Sequence, residues 1–158
     1  MFKLEVSIAK QTLSVFEAGR LIKEYSISTA KNGPGEHFGS EQTPRGLHII
    51  RAKIGAQAPA NAVFIGRRPT GEIYHPELRA KFPLRDWILT RIFWLSGLEQ
   101  GKNRLGSVDT MRRYIYIHGT PDDVQMGIPG SRGCIRMRNN DIIELFQQIP
   151  VSTPILIE

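Results

Sequence analysis

Apolar side chains at Phe2, Leu4, Val6 and Ile8 alternate with polar ones, which is the period-two pattern of a strand with one buried face. Residues 12–17 and 21–28 continue as short strands, and Glu17-Ala18-Gly19-Arg20 between them reads as a hairpin turn. Gly46-Leu47-His48-Ile49-Ile50 begins a further strand, and the apolar, β-prone run from Trp87 to Leu95 predicts a buried one. Residues 113–118 predict another strand, ending on His118. There His118 shares a face with Tyr114 and Tyr116, while Ile115 and Ile117 point the other way. The period changes near the C-terminus. Ile142, Leu145, Phe146 and Ile149 recur at i, i+3, i+4 and i+7, one face of a helix. Asp141-Ile142-Ile143-Glu144 reads as its capping box, Pro150 stops it, and Pro154-Ile155-Leu156-Ile157 ends the chain as a short strand.

Between these elements lie segments rich in turn formers. Residues 31–46, 97–109 and 127–133 read as loops. Residues 55–85 carry Pro59, Pro69, Pro76 and Pro83 among scattered charges and predict a long, lid-like loop. No repeat or low-complexity linker divides the chain. The expectation is therefore a single, mainly β domain over residues 1–158 with one helix in its C-terminal half.

Composition narrows the function classes. Of 158 residues, 41% are hydrophobic and 23% charged, the balance of a folded domain. One cysteine excludes an internal disulfide and a cysteine-rich zinc site. The four histidines (His37, His48, His75, His118) show no tight ligand spacing, so neither metal nor cofactor is expected. The formal charge of +6 favours phosphates or carboxylate-rich substrates. The arginines form no single run and the aromatics are not interleaved with them, which argues against nucleic acid. No apolar stretch is long enough to span a bilayer. The alternating N-terminal strand has no continuous apolar region and no small-residue cleavage site. By sequence alone the expected location is therefore cytosolic.

The candidate chemistry gathers around the one cysteine. Cys134 sits in Ser131-Arg132-Gly133-Cys134-Ile135-Arg136-Met137, after a glycine-rich loop, and His118 precedes it in Tyr116-Ile117-His118-Gly119-Thr120. The thiolate is the reactive form of cysteine, and the neighbouring arginines predict a lowered thiol pKa. An imidazole in reach takes the thiol proton and returns it to a leaving group. No Asp or Asn adjoins His118, so a backbone carbonyl is its expected orienter. Glycine-rich turns expose N–H groups suited to an oxyanion hole. If the segment after Cys134 is extended, Arg136 projects to the same side as the thiol and is placed to grip a substrate carboxylate. Asp122 and Asp123 read as turn residues, and His37, His48 and His75 as structural or surface groups.

His118-Gly119-Thr120, Gly127, Gly130, Ser131 through Met137, Asn139 and Asp141 together resemble the active-site signature of the L,D-transpeptidases of the YkuD type. The resemblance extends to the opening strands and to Gln42-Thr43-Pro44-Arg45-Gly46. It implies a YkuD-like β-sandwich of mixed sheets and a cysteine acyltransferase acting on peptidoglycan stem peptides at the cell envelope. Cys134 would be the nucleophile, His118 the general base and acid, and the Gly119 carbonyl its orienter. N–H groups of Gly133 and Cys134 would line the oxyanion hole. Arg136, Arg132, Ser131, Thr120 and Asn139 would contact substrate. The residue before the Gly–Cys pair is often histidine in this family and is Arg132 here, which leaves His118 as the one local base. An L,D-carboxypeptidase using the same acyl-enzyme, and a non-catalytic peptidoglycan-binding module, are the alternatives.

Overall fold

The computed structural model describes residues 1–158. Strands β1 (Phe2–Ser7), β2 (Thr12–Glu17) and β3 (Arg20–Ser28) form an antiparallel meander. Its second turn, between β2 and β3, is the expected hairpin, with Ala18 and Gly19 both at positive φ (49° and 79°) as a tight two-residue connection requires. β4 (Gly46–Ile54), β5 (Ala62–Ile65), β6 (Arg68–Ile73), β7 (Ile88–Gly97), β8 (Tyr116–Thr120), β9 (Ile135–Arg138) and β10 (Pro154–Ile157) complete a mixed sheet ordered β4-β10-β1-β2-β3-β9-β8-β7-β5-β6. β7 also pairs with β4, so the sheet curls round and closes into a flattened, sandwich-like barrel. Only β1–β10 and β8–β9 are parallel pairs.

Inside it Leu4, Val6, Leu13, Val15, Ile27, Ile50, Phe93, Leu95, Ile117, Ile135 and Met137 form one buried cluster. The apolar stripe of helix α2 (Asn139–Gln148), through Ile142, Leu145 and Phe146, joins the same cluster. The alternation read from the sequence is therefore the core, and its burial is the main force holding β8 and β9 in place.

Three expectations are corrected. Residues 55–85 are not one long loop: they contain the hairpin β5–β6 and a short helix α1 (Pro76–Lys81). Gly66 and Arg67, both at positive φ, make the two-residue turn closed by Ile65 and Arg68. The prolines mislead because each occupies a place that tolerates it: Pro69 lies in the edge strand β6 and Pro76 opens α1. Helix α2 begins before the predicted capping box, with Arg138 as its N-cap and no side-chain cap, leaving Asp141 in the first turn. Strand β8 begins at Tyr116 rather than at residue 113. Tyr114 is at φ 56° in the preceding turn and is 53% exposed, so it does not share the His118 face by strand alternation.

Candidate active site

In the parallel pair β8–β9, Ile117 lies beside Ile135 and His118 beside Arg136. Alternation sends Ile117, Ile135 and Met137 into the core. It sends His118 and Arg136, with Cys134 just before β9, to the opposite side. Two residues far apart along the chain thus become near neighbours through ordinary strand geometry.

Cys134 is half-buried at a cavity of about 490 Å³ bounded by Arg67, Asp86, Ile88, Tyr114, Tyr116 and Arg132. The N–H of Tyr116 donates to Sγ at 3.3 Å, and the thiol donates to the Tyr114 carbonyl at 3.4 Å. The thiol packs against the buried cluster of Ala62, Phe64, Ile92 and Tyr116. Burial pushes its pKa up to about 12, against the pull of the Tyr116 N–H and of Arg136 and Arg113; Asp86 adds to the rise. This corrects the expectation of a lowered thiol pKa. Apolar enclosure outweighs the nearby guanidiniums, and the resting sulfur is a thiol.

His118 is fully buried. Its Nδ1–H donates to the Gly119 carbonyl at 2.6 Å, which in the neutral ring leaves Nε2 as the lone-pair nitrogen. Nε2 is buried without a partner. Burial lowers the imidazole pKa, opposed by the charge of Asp86 and the Gly119 carbonyl and assisted by Arg136. The resting pair is thus neutral thiol and neutral imidazole, with one unused acceptor nitrogen.

The loop that carries Cys134 is braced from several sides. Gly133 is at φ 131°, where an L side chain is strained, and a Cβ there would meet Ile115 Cδ1 at 3.2 Å. Thr43 donates to the Gly133 carbonyl at 2.9 Å and accepts the Ala30 N–H at 2.9 Å. Arg113 reaches the carbonyls of Gly35, Glu36 and Gln42, fixing residues 35–42 beside the cysteine. Beneath the site Gly119 is required by close approach: a Cβ would sit 2.5 Å from Asn139 Oδ1 and 2.6 Å from the Leu89 carbonyl.

The structure distributes the expected substrate residues unevenly. Arg136 is at the site, donating to the Gly130 carbonyl at 3.1 Å and meeting Asp86 at 3.4 Å. Arg132 is exposed and donates to the Leu84 carbonyl at 3.2 Å. Thr120 is buried, at the wall of a smaller cleft of about 180 Å³ next to the cysteine cavity. Ser131 is buried; its hydroxyl donates to the Cys134 carbonyl and accepts the Gly133 N–H at 3.2 Å. It is a brace of the loop, and the Gly133 N–H, expected to line an oxyanion hole, donates to its hydroxyl in this structure. Asn139 is 3% exposed, accepting from Thr90 at 2.6 Å and donating to Asn61 at 2.9 Å and Asp122 at 3.2 Å. It ties α2, β7 and two loops together under the site.

Sequence reasoning missed Asp86, Arg113, Thr43 and the Tyr116 N–H. Each reaches the site from a segment distant in sequence or through the backbone, and no local pattern marks them. His48 is structural: it is buried, with ring nitrogens 2.9 Å from the Gly46 carbonyl and the Thr110 hydroxyl. A separate apolar cavity of about 410 Å³ under the β5–β6 hairpin holds none of these reactive groups. No three His, Cys, Asp or Glu side chains converge as metal ligands, and no helix is long and apolar enough to cross a membrane.

Comparison with known proteins agrees with this geometry. Residues 2–157 match the YkuD family, described as the L,D-transpeptidase catalytic domain. The YkuD protein of Bacillus subtilis is 41% identical over 157 residues, and that of Bacillus licheniformis is 27% identical over 156. Each match takes in 99% of this chain and 65% of the relative, so the chain spans somewhat under two thirds of their length. Among solved structures, the L,D-transpeptidase from Mycobacterium smegmatis superposes with a TM-score of 0.58 at 19% identity, over 99% of this chain and 58% of that one. L,D-transpeptidase 3 from Mycobacterium tuberculosis, in complex with a faropenem-derived adduct, superposes with 0.60 at 14%, over 99% and 60%. At those identities the likeness is one of fold.

Proposed function

This chain belongs to the YkuD family of L,D-transpeptidase catalytic domains, and on that premise we propose that it transfers the acyl group of peptidoglycan stem peptides through a Cys134 thioester. The observation that carries the reading is the single thiol at a cavity, on the same side of the sheet as a buried imidazole whose Nδ1 is fixed by the Gly119 carbonyl and whose Nε2 is unused.

The sulfur attacks the carbonyl carbon at the L-centre of the diamino acid in position three, and the thiol proton passes to His118 Nε2. Because both groups start neutral, the proton moves as the S–C bond forms. The tetrahedral intermediate collapses with cleavage of the C–N bond, and His118 returns the proton to the departing D-alanine amine. An incoming amine then attacks the thioester carbon and gives its proton to His118; the C–S bond breaks, and His118 passes that proton to the departing sulfur, restoring the neutral pair. The Tyr116 N–H at 3.3 Å from Sγ is placed to support charge on the sulfur as it leaves. Arg136 holds a substrate carboxylate, and the basic surface attracts a stem peptide rich in carboxylates.

The test is incubation of the protein, with Cys134→Ala alongside, with disaccharide tetrapeptide and a D-amino acid, the products being read by mass spectrometry. An exchange or dimer mass that vanishes in the variant is the expected result. Loss of D-alanine alone points to hydrolysis as the fate of the thioester. No product from the unsubstituted protein refutes the reading.

A further inference from the structure

Two clefts meet at a shared wall built by Asp86 and Arg132, with Cys134 lining one and Arg136 the other. The larger holds the thiol; the smaller, about 180 Å³, is lined by Arg79, Arg85, Arg132 and Arg136 together with Thr120 and Trp87. Asp86 is the single acidic residue lining either one.

The guanidiniums of the small cleft are not equivalent. Arg79 is bound by both oxygens of Asp123 at 2.9 Å, and Arg85 by Glu72 at 2.8 Å. Their charges are answered outside the cleft. Arg132 meets only a carbonyl, and Arg136 meets Asp86 through one long contact of 3.4 Å. The side chains of that last pair remain partly open, at 18% and 27% exposed. The corner between Asp86 and Arg136 therefore offers an under-used cation and an under-used anion side by side, next to the nucleophile.

We propose that this corner is a subsite for an α-amino carboxylate, the zwitterionic group carried by a free D-amino acid or by the end of a diamino acid side chain. Its carboxylate takes Arg136, with Arg132 in reach, and its ammonium takes Asp86. One stretched ion pair is replaced by two charge-assisted ones. Asp86 is then a specificity-determining residue that selects for an ammonium next to a carboxylate, and it stands in for the ligand carboxylate on Arg136 when the cleft is empty. The inference rests on the acyl-transfer reading only for the identity of the physiological ligand, as the amine acceptor. The recognition itself requires no turnover.

The experiment is an NMR titration of the ¹⁵N-labelled protein with D-alanine, with N-acetyl-D-alanine, which lacks the ammonium, and with D-alaninamide, which lacks the carboxylate. D-Alanine is expected to bind about tenfold more tightly than either analogue, with shifts around Thr120, Val124 and Arg136. Asp86→Asn is expected to lose about tenfold for D-alanine while binding N-acetyl-D-alanine as well as before or better, since the competing carboxylate is gone. A merely structural Asp86 would weaken both together. Equal binding of D-alanine and N-acetyl-D-alanine, equal weakening of both by Asp86→Asn, or no shifts at the cleft would each overturn the proposal. Should the variant fail to fold, the ligand preference of the unsubstituted protein decides. A chain that binds D-alanine in this way but forms no product from tetrapeptide would keep the subsite and lose the transfer reading; the reverse result would do the opposite.

Discussion

The protonation state of the resting site is open to a direct chemical test. Burial lifts the Cys134 thiol from 9.0 to about 12, while burial holds the His118 imidazole below its ordinary value. Iodoacetamide reacts with thiolate, and a rise of that size leaves about a thousandfold less thiolate at neutral pH than an unperturbed thiol has. Alkylation of the folded protein, followed by intact mass, should therefore run about three orders of magnitude slower at pH 7 than in the same protein unfolded in urea. It should climb about tenfold per pH unit from 7 to 10 with no plateau. The cavity of about 490 Å³ has room for so small a reagent, so access does not mimic the effect. His118→Ala adds a second discriminator. In a neutral pair the imidazole does not hold a thiolate, so the variant should alkylate at a rate close to that of the unsubstituted protein. A plateau below pH 8, or a tenfold or greater collapse in His118→Ala, would show a preformed thiolate–imidazolium pair and refute the reasoning.

Asn139→Ala should cost about 2–4 kcal/mol, because it leaves the buried Thr90 hydroxyl without an acceptor for its proton and cuts the ties to Asn61 and Asp122; urea unfolding measures it. A variant of unchanged stability that lost only substrate affinity would instead restore Asn139 as a substrate contact. His48 sets an acid limit. Its folded pKa is about 4, lowered by burial, against 6.5 unfolded, so below 6.5 the unfolded chain binds the proton first. Stability is whole above pH 6.5 and falls as pH drops toward 4, by about 2 kcal/mol at pH 5 from this group, with His118 acting in the same direction. Urea midpoints that do not move between pH 7 and pH 5 would contradict this, and His48→Gln should flatten the slope. His118→Ala should slow thioester formation by about a hundredfold or more, read as acyl-enzyme by mass spectrometry, and an unchanged rate would remove it as the base.

The parts of the site visible in the sequence are those that depend on neighbours along the chain. Alternation through Ile117, His118 and Gly119 and through Cys134, Ile135 and Arg136 is local. Once β8 and β9 pair in parallel, it suffices to bring His118 and Cys134 to the same side of the sheet. The contacts that tune the site cross long separations. Asp86 arrives from the turn before β7, Thr43 and Arg113 from two other loops, and Asn61 from the start of the β5–β6 unit. A side chain such as Asn139 reads as a polar helix-start residue in sequence. Whether it faces ligand or core depends on where β7 bulges at Thr90, which is held at φ 75° against the preference of a β-branched residue.

The same separation between charge and environment explains why the arginines misled the reading of the thiol. Proximity in sequence placed Arg132 and Arg136 beside Cys134, and opposite charge does favour a thiolate. In the fold Arg132 points out to the Leu84 carbonyl and Arg136 is shared between Gly130 and Asp86, while apolar side chains and Tyr116 enclose the sulfur. Asp86 offsets part of the Arg136 field at the sulfur and at His118 alike. The guanidiniums are thus directed at the clefts rather than at the sulfur. On the proposed acyl-transfer reading, charge enough to ionise the thiol would be available only as the transition state forms, when His118 would take the proton and the Tyr116 N–H would meet a sulfur gaining negative character. On that reading, a site so arranged would keep an unreactive thiol at rest and present a nucleophile only with substrate bound.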